Sequence, residues 1–416
     1  MIENKTLYRN TIFLYLLTFS NYFFSFITVP YQTRIFGPEV YGVLGFASAF
    51  SVYFMLFIDF GFTLSATKSV AEHRENRKYL TSILSNITFV KICFAIFSLI
   101  ILSVLSMFIK YLNENYLILL LYTLLAGLNS LIPDYIYRGI EDMKKIALRT
   151  VVVRAIFTLL IFIFLKNKTQ IYLVPIFSIV GAITALSIAY YDLAVNFCIK
   201  VIKPSLVEMK ALIIESSPYF LSRISSSICD VSNTVILGFA NTPLTVIGLY
   251  SSAEKLRGVA NQAYTPIADS LYPYLMRTKD YEKMFKIMLI CQVAILLGAV
   301  ILWRYSDYFC IFLFGKEFIE AGEILRWMLP VIFITLPSYI LGFPALTPLG
   351  VARWANYSVE LSVGCQIVGL IILVMMNNIS VYSLIGVMTI SEFVCFFCRL
   401  LIFVKYYARG EKIKIT

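Results

Sequence analysis

Long apolar runs alternate with short polar segments along the whole chain. A membrane-spanning helix needs about 20 predominantly apolar residues, and polar punctuation separates twelve runs of about that length. The predicted spans are 9–29, 41–63, 80–108, 116–137, 148–165, 171–194, 212–237, 244–269, 284–303, 324–343, 355–376 and 380–404. The pattern therefore predicts an all-α integral membrane protein with about twelve transmembrane helices.

Composition excludes the main soluble classes. Of the 416 residues, 60% are hydrophobic and only 14% are charged, whereas an ordinary soluble domain carries about 25% charged residues. The formal net charge of +11 does not indicate nucleic-acid binding, because the Lys and Arg residues form no basic tail or block and instead lie between apolar runs. We therefore expect membrane lipids, and no nucleic acid, around this protein.

The distribution of basic residues predicts the orientation. If the N-terminus is cytoplasmic, the inside segments hold 22 Lys and Arg residues and the outside segments hold 6. Cytoplasmic loops are enriched in Lys and Arg, so this asymmetry predicts a multi-pass protein with both termini in the cytoplasm. The outside loops are short, which leaves no room there for a folded catalytic domain.

No enzymatic motif is present. The sequence lacks a Walker A loop, an H-E-x-x-H zinc motif and a G-x-S-x-G nucleophile motif. Cys395 and Cys398 have C-x-x-C spacing, but one such pair in an apolar run falls short of a zinc site. We therefore expect no enzyme activity, no metal and no cofactor.

A short internal repeat divides the chain. Residues 35–48 and 236–253 each contain a hydrophobic-Gly turn followed by a Val-x-Gly motif that opens the next span. This repeat predicts an N-terminal lobe over 1–200 and a C-terminal lobe over 201–416, joined by a basic linker at about 195–211. Each lobe then has six spans with the same topology, as in transporters built from parallel repeats, and a central cleft between the lobes follows.

Ionisable residues inside the spans are candidates for binding an anion, because a charge in a span usually faces a cavity or a partner. The predicted substrate-binding residues are Lys91, Arg154, Arg223, Lys255 and Arg257. Their positive balance suits an anionic ligand, above all phosphate, which Arg binds through its planar fork. The turn at 238–243 is short, so the charges of Arg223 and of the Lys255/Arg257 pair are expected to converge.

Acidic residues in the spans are candidates for exchanging a proton or a sodium ion. They are Asp59, Asp230, Glu254 and Glu392. The helical pattern favours Asp230 and Glu254, since they share polar faces with Arg223 and Lys255. Pairing that only stabilises packing is the alternative.

Two pairs have the spacing for such structural pairing. Glu254 and Arg257 stand at i, i+3, and Glu392 and Arg399 stand at i, i+7, so each pair lies on one helix face.

Five segments resemble a known family. Residues 29–42 (VPYQTRIFGPEVYG), 59–68, 133–144, 268–277 and 313–322 are similar to landmarks of polysaccharide export flippases, the Wzx-type O-antigen transporters. These belong to the multidrug/oligosaccharidyl-lipid/polysaccharide exporter superfamily. The resemblance runs from about residue 10 to residue 405.

The resemblance implies a fold and a function. The fold is two six-helix bundles that form a V around a central cleft. The function is to flip an undecaprenyl-diphosphate-linked oligosaccharide, such as an O-antigen repeat unit, from the cytoplasmic to the periplasmic leaflet of the bacterial inner membrane. Alternating access would be coupled to a proton or sodium ion, and other glycan-assembly proteins are possible partners. The residues that match the family's cationic cavity are the five basic candidates named above.

One departure and two rival functions stay open. Relatives often carry an aromatic-Gln pair where this sequence has Tyr137 and Arg138, which puts a role for Arg138 in doubt. A multidrug cation exporter of the same superfamily would share the fold, although it favours a net acidic cleft. A membrane-embedded glycan polymerase usually carries a large external loop, and such a loop is missing here.

Overall fold

The computed structural model describes the backbone of residues 2–414. It describes their side chains except those of residues 2–9, 11, 226, 228–230 and 409–414. The α-helices are α1 Ile2–Asp59, α2 Phe62–Glu72, α3 Arg77–Phe108, α4 Lys110–Glu114, α5 Tyr116–Leu131, α6 Asp134–Gly139, α7 Met143–Phe164, α8 Leu173–Val195, α9 Leu206–Phe239, α10 Leu244–Thr278, α11 Tyr281–Phe314, α12 Ala321–Leu341, α13 Phe343–Leu346, α14 Ala352–Met375 and α15 Val381–Lys414. Short 3₁₀ turns precede α8 and α12.

Helix α1 consists of two helical segments. It has 58 residues, far more than a hydrocarbon core of about 30 Å requires at roughly 1.5 Å per residue. Gly37 interrupts it with φ 69° and ψ 175°, a left-handed value of φ that glycine adopts without a steric penalty. Pro38 follows, where a first helical turn needs no backbone N–H donor. The two predicted spans at 9–29 and 41–63 thus correspond to the two segments.

The all-α prediction is confirmed, since every predicted span overlaps a helix of the described chain. Nine stretches of the described residues are long and apolar enough to cross a membrane. The stretch Ile12–Glu72 contains two predicted spans, and α9 and α10 are not among the nine. Those two helices carry several of the candidate charges, which lower their hydropathy. The chain is a multi-pass membrane protein.

Two spans are broken within the first part of the chain, a feature that the apolar pattern did not predict. Helix α1 ends at Asp59 and α2 begins at Phe62, and α5 ends at Leu131 and α6 begins at Asp134. Phe60 and Gly61 turn the chain with φ 44° and 77°. The predicted second span stopped at residue 63, whereas the helix resumes as far as Glu72. Asp59 therefore lies deeper than its predicted place near a span end.

The chain forms two compact units, Met1–Ile224 and Ser225–Thr416. The point of division falls inside α9, and the lobe boundary in the linker at about 195–211 stays a prediction. In the first unit, α2 packs against α6, and a buried apolar core joins α2, α3, α6 and α8 through residues such as Phe62, Leu84, Tyr137 and Leu193. In the second unit, α12 packs against α10, α11 and α15, and most of its side chains are buried.

Candidate functional site

Asp59 is the centre of a polar cluster in the first unit, which we call the Asp59 cluster (Asp59, Thr63, Lys91, Ser130 and Arg223). Its carboxylate ends α1, where the partial negative charge of the helix C-terminus makes an anion unfavourable without cationic partners. Lys91 Nζ lies 2.9 Å from Asp59 Oδ1, and Arg223 Nη1 lies 3.2 Å from Oδ2. Thr63 donates a third bond, of 2.6 Å, to Oδ1.

Lys91 connects the two broken spans. Besides Asp59 at the end of α1, its ammonium group donates a 2.8 Å hydrogen bond to the carbonyl oxygen of Ser130 in the last turn of α5. Carbonyls in the last turn of a helix have no partner within the helix, so Lys91 satisfies one of them. The rings of Phe62 and Tyr135 lie 6.0 and 5.5 Å from Nζ, within range of a cation–π attraction.

The cluster lies deep in the first unit. Asp59 stands about 13 residues before the end of α2, or roughly 20 Å at the helical rise. Lys91 stands about 14 residues after the start of α3, or roughly 21 Å. Both distances bring the cluster towards the middle of a hydrocarbon core of about 30 Å. Broken spans and polar groups at this depth are characteristic of binding sites in transporters.

Arg223 reaches Asp59 because α9 packs tightly on the turn between α1 and α2. A Cβ atom on Gly61 would lie 2.8 Å from both the backbone nitrogen of Phe220 and the Cβ of Tyr219. Only glycine allows this approach. The rings of Phe60 and Phe220 also stack, with centroids 4.4 Å apart. Arg223 follows Phe220 by about one helical turn, so this contact holds its guanidinium at the carboxylate.

The two cations of the cluster differ in accessibility. The side chain of Lys91 is 2% exposed, whereas that of Arg223 is 38% exposed. Lys91 can contact a ligand only if its pair with Asp59 opens. Arg223 bonds Asp59 through Nη1, and more than a third of its side-chain surface is exposed.

Arg154 stands apart from the Asp59 cluster. It lies on α7 and is exposed, and within the described part of the chain it forms no ion pair.

In the second unit, Glu254 and Arg257 of α10 form an ion pair with a separation of 3.7 Å. Thr234 of α9 donates a 3.0 Å hydrogen bond to the other carboxylate oxygen of Glu254. Arg257 is buried and Lys255 is exposed, because positions two residues apart point to different sides of a helix. The predicted Lys255/Arg257 pair therefore divides between two environments.

The remaining candidates have separate surroundings. Glu392 on α15 is half-buried. Arg399 donates to Ser358 Oγ at 2.8 Å and to the carbonyl of Ser338 at 2.7 Å. Arg399 is therefore held by Ser358 and Ser338 of the second unit. The spacing in the sequence had predicted Glu392 as its partner. The side chain of Asp230 lies outside the described residues.

Sequence reasoning did not anticipate Thr63, Ser130 or Gly61 as parts of the site. The signal for Gly61 was available, because a glycine after Asp59 and Phe60 in an apolar run indicates a break or a close approach. Sequence reasoning also missed two acids on α9. Glu208 accepts a 2.6 Å hydrogen bond from Asn86, and Glu215 accepts one from Ser69 at 3.5 Å. Nothing local in the sequence shows these partners.

The comparisons with known proteins agree on the family. The family model described as polysaccharide biosynthesis protein matches residues 7–279. A protein of Escherichia coli (strain K12) that carries the name O-antigen transporter is 27% identical over 364 residues, which is 83% of this chain and 85% of that protein.

Solved structures of low identity share the fold. An inward-facing multidrug resistance MATE family transporter of the MOP superfamily has a TM-score of 0.68 and 15% identity over 94% of this chain and 95% of its own. The lipid II flippase MurJ in an inward closed conformation has a TM-score of 0.67 and 12% identity over 94% of this chain and 87% of its own. The chain thus shares the fold of these two solved structures, and with more than half of its length matched by the family model, this chain belongs to the polysaccharide biosynthesis protein family.

Proposed function

We propose that this protein flips an undecaprenyl-diphosphate-linked oligosaccharide, such as an O-antigen repeat unit, from the cytoplasmic to the periplasmic leaflet of the bacterial inner membrane. Membership of the family and the name of the Escherichia coli relative support the glycan. The name of the lipid II flippase, which shares the fold, supports a lipid carrier. The observation that carries the proposal is an arginine, Arg223, that lies deep in the first unit with its side chain 38% exposed.

Arg223 would bind the diphosphate of the substrate. A guanidinium offers several N–H donors in a planar fork that matches phosphate oxygens. Asp59 occupies one of these donors, at 3.2 Å, so carboxylate and phosphate would compete for the same cation. Binding of substrate would then loosen the attachment of α9 to the end of α1. This competition links substrate binding to the position of a helix, which alternating access requires.

The other predicted substrate-binding residues differ in how directly they could contact the substrate. Arg154 and Lys255 are exposed and would contact the acidic sugars or the diphosphate directly. Arg257 is buried against Glu254, and Lys91 against Asp59, so both would join the substrate site only after these pairs open. Such pairs are worth little net stability but are costly to break singly, which suits groups that switch partners.

A proton or a sodium ion would be exchanged at one of the acids Asp59, Asp230, Glu254 and Glu392. The helical pattern favours Asp230 and Glu254, whereas the contacts of Asp59 with two cations on two other helices favour Asp59. Neutralising Asp59 would release both cations at once. We propose Asp59 as the first of the four acids to test. We also propose that both termini of the chain lie in the cytoplasm.

A second candidate function is multidrug export, favoured by the structural likeness to the MATE family transporter. That likeness has 15% identity and carries the fold alone. The positive charges of Arg223, Arg154 and Lys255 would repel a cationic drug. A deletion strain that becomes sensitive to cationic drugs while its glycan assembly continues normally would favour this alternative.

The test is export by variants in a strain that lacks the gene. Deletion should cause lipid-linked glycan to accumulate on the inner leaflet, and the wild-type gene should restore export. Arg223→Ala, and Lys255→Ala combined with Arg257→Ala, should abolish export at wild-type levels of membrane protein. Arg223→Lys should keep part of it, because the charge remains without the fork. Arg277→Ala serves as the control, since Arg277 is exposed at the end of α10.

Normal export by both alanine variants would reduce these charges to structural pairs. Absence of any accumulated lipid-linked glycan in the deletion strain would refute the flippase itself.

A further inference from the structure

An open cavity of about 550 Å³ lies in the first unit, away from the Asp59 cluster. Three chain segments meet there: the turn between α2 and α3, the residue that follows α6, and the segment that follows α8. The lining residues are Arg74, Glu75, Arg77, Leu80, Ile140, Asn196, Phe197 and Ile199. The volume falls within the range of small-molecule sites, roughly 300–1,000 Å³.

The rim of this cavity is cationic. Arg74 and Arg77 are exposed, and within the described part of the chain neither forms an ion pair. Glu75 contributes the one negative charge among the lining residues. The cavity also receives the N-terminus of α3, a helix of 32 residues whose first turn is capped by the Asn76 side chain. The partial positive charge of a helix N-terminus adds to that of the two arginines and favours an anion.

The floor of the cavity is apolar. Leu80 and Ile199 are each 2% exposed, and Ile140 and Phe197 are half-buried. Nearby, Lys145 lies over the ring of Phe197 at 4.3 Å, but its ammonium pairs with Asp192 at 2.7 Å and so adds no net charge. A cationic rim above an apolar floor fits a ligand with a phosphate at one end and an apolar group at the other.

The location narrows the ligand class further. The segments that line the cavity are the ones whose Lys and Arg content predicts a cytoplasmic position. They lie at helix ends, which is the level of lipid headgroups. Basic pockets at this level of a membrane protein bind the phosphate groups of lipids.

We infer that this cavity binds the phosphate head of a membrane lipid on the cytoplasmic side of the first unit. Arg74 and Arg77 hold the phosphate, the partial positive charge at the N-terminus of α3 favours its negative charge, and Phe197 and Ile140 pack against the glycerol or prenyl portion. Two lipids share this chemistry, an anionic phospholipid and the polyprenyl diphosphate carrier. The inference goes beyond the flipping reaction, because a lipid can bind here whatever substrate the protein moves.

The test uses the full-length protein, purified in detergent and stripped of lipid, with thermal unfolding as the readout. The ligands are dihexanoyl phosphatidylglycerol, farnesyl diphosphate, inorganic phosphate and, as a zwitterionic control, dihexanoyl phosphatidylcholine. At least one of the first two should raise the unfolding temperature of the wild-type protein. The double variant Arg74→Ala, Arg77→Ala should lose at least half of that shift. The matched variant Arg277→Ala, Arg353→Ala, which also loses two exposed arginines, should keep it.

A second variant tests the sign of the charge effect. Glu75→Gln removes the negative charge at the rim and should lower the ligand concentration that produces a given temperature shift, by about threefold if the gain is about 0.6 kcal/mol.

The pattern of responses identifies the source of the phosphate. A shift with phosphatidylglycerol alone assigns a structural phospholipid, and a shift with farnesyl diphosphate alone assigns the carrier. A shift with inorganic phosphate alone, or equal shifts in wild type and the Arg74/Arg77 variant, overturns the inference. Glycan export by the Arg74/Arg77 variant is measured separately, so that loss of the lipid site and failure of the proposed flipping activity are distinguishable.

Discussion

The Asp59 cluster of the first unit and the Glu254–Arg257 pair of the second each hold a carboxylate next to a cation, but the cations come from different places in the chain. Asp59 joins cations from α3 and α9, at positions far apart along the chain and at distances of 2.9 and 3.2 Å. Glu254 and Arg257 lie on one helical turn at 3.7 Å. The Glu254–Arg257 contact itself lies within α10, and Thr234 of α9 adds one hydrogen bond to Glu254. The Asp59 ion pairs join charges from three helices, so breaking them removes more contacts between helices, and the first site is better suited to drive a conformational change.

Neutralising Asp59 and neutralising Glu254 should give the largest difference in stability between the two sites. Asp59→Asn leaves Lys91 buried without its counter-charge, and removal of one partner of a buried pair costs roughly 3–5 kcal/mol. Glu254→Gln should cost about half as much, since the Arg257 contact is longer. Thermal unfolding of both purified variants measures the difference.

The double variant Asp59→Asn, Lys91→Met provides the control for this prediction. It should recover much of the loss, because the buried ammonium of Lys91 is removed together with its counter-charge, while the side chain of Arg223 is 38% exposed. Equal destabilisation by Asp59→Asn and Glu254→Gln would contradict the proposed contrast between the sites.

The close approach of α9 to the turn at Gly61 should be the next most sensitive feature. Gly61→Ala places a Cβ within 2.8 Å of α9 at a φ of 77°. The left-handed conformation costs roughly 1–2 kcal/mol in a non-glycine residue, and overpacking adds roughly 1–3 kcal/mol. Arg223 should move from Asp59, and export should fall together with the unfolding temperature.

Gly258→Ala is the matched change in the second unit. Nothing lies within 4 Å of a Cβ at Gly258, which is in the middle of α10. Alanine has the higher helix propensity, so this variant should keep or slightly raise the unfolding temperature and keep export. A Gly61→Ala protein that behaves like Gly258→Ala would show that α9 does not depend on this contact.

The sequence predicted the membrane spans and the ion pair within one helix, but not the contacts between distant helices. The twelve spans follow from apolar runs whose length the bilayer dictates, and each of them overlaps a helix. The Glu254–Arg257 pair follows from helical spacing. The Asp59 cluster depends on how α1, α3 and α9 pack, and a period of 3.6 residues carries no information on partners from distant helices. The contacts of Arg223 and Lys91 with Asp59 were therefore not predictable from helical spacing.

The apolar pattern also failed to predict the breaks between α1 and α2 and between α5 and α6. Phe60 and Gly61 lie inside the predicted span 41–63, whose one charged residue is Asp59, and hydropathy does not distinguish a helix from a turn. Pro133, however, disfavours helix at the preceding residue, so the break after Leu131 was readable. A search for Gly and Pro inside the spans, next to charged residues, would have found both.

Within the second unit, Lys255 and Arg257 should have separable effects. Arg257 is 6% exposed and its loss leaves Glu254 without that partner, so Arg257→Ala should lower stability by about half of the roughly 3–5 kcal/mol that removal of one partner of a buried pair costs. Lys255 is exposed, so Lys255→Ala should leave stability within about 0.5 kcal/mol and lower export through lost substrate binding. Thermal unfolding and export, measured on the same preparations, test both. A large loss of stability in Lys255→Ala would oppose a role in binding.

The smallest expected difference concerns the two threonines that bond the acids. Thr63 donates to Asp59 at 2.6 Å and Thr234 donates to Glu254 at 3.0 Å. Valine keeps the shape of threonine but removes the donor, and a hydrogen bond to a charged group is worth roughly 1.5–3 kcal/mol. Asp59 keeps two cations at 3.2 Å or less when Thr63 is lost, whereas Glu254 keeps Arg257 at 3.7 Å. Thr63→Val should therefore lie at the low end of that range and Thr234→Val nearer its middle, in thermal unfolding of both proteins under one set of conditions. The reverse order would mean that the hydroxyl of Thr63, more than the two cations, holds Asp59 in place, and that the cations are free to exchange it for a phosphate at little cost.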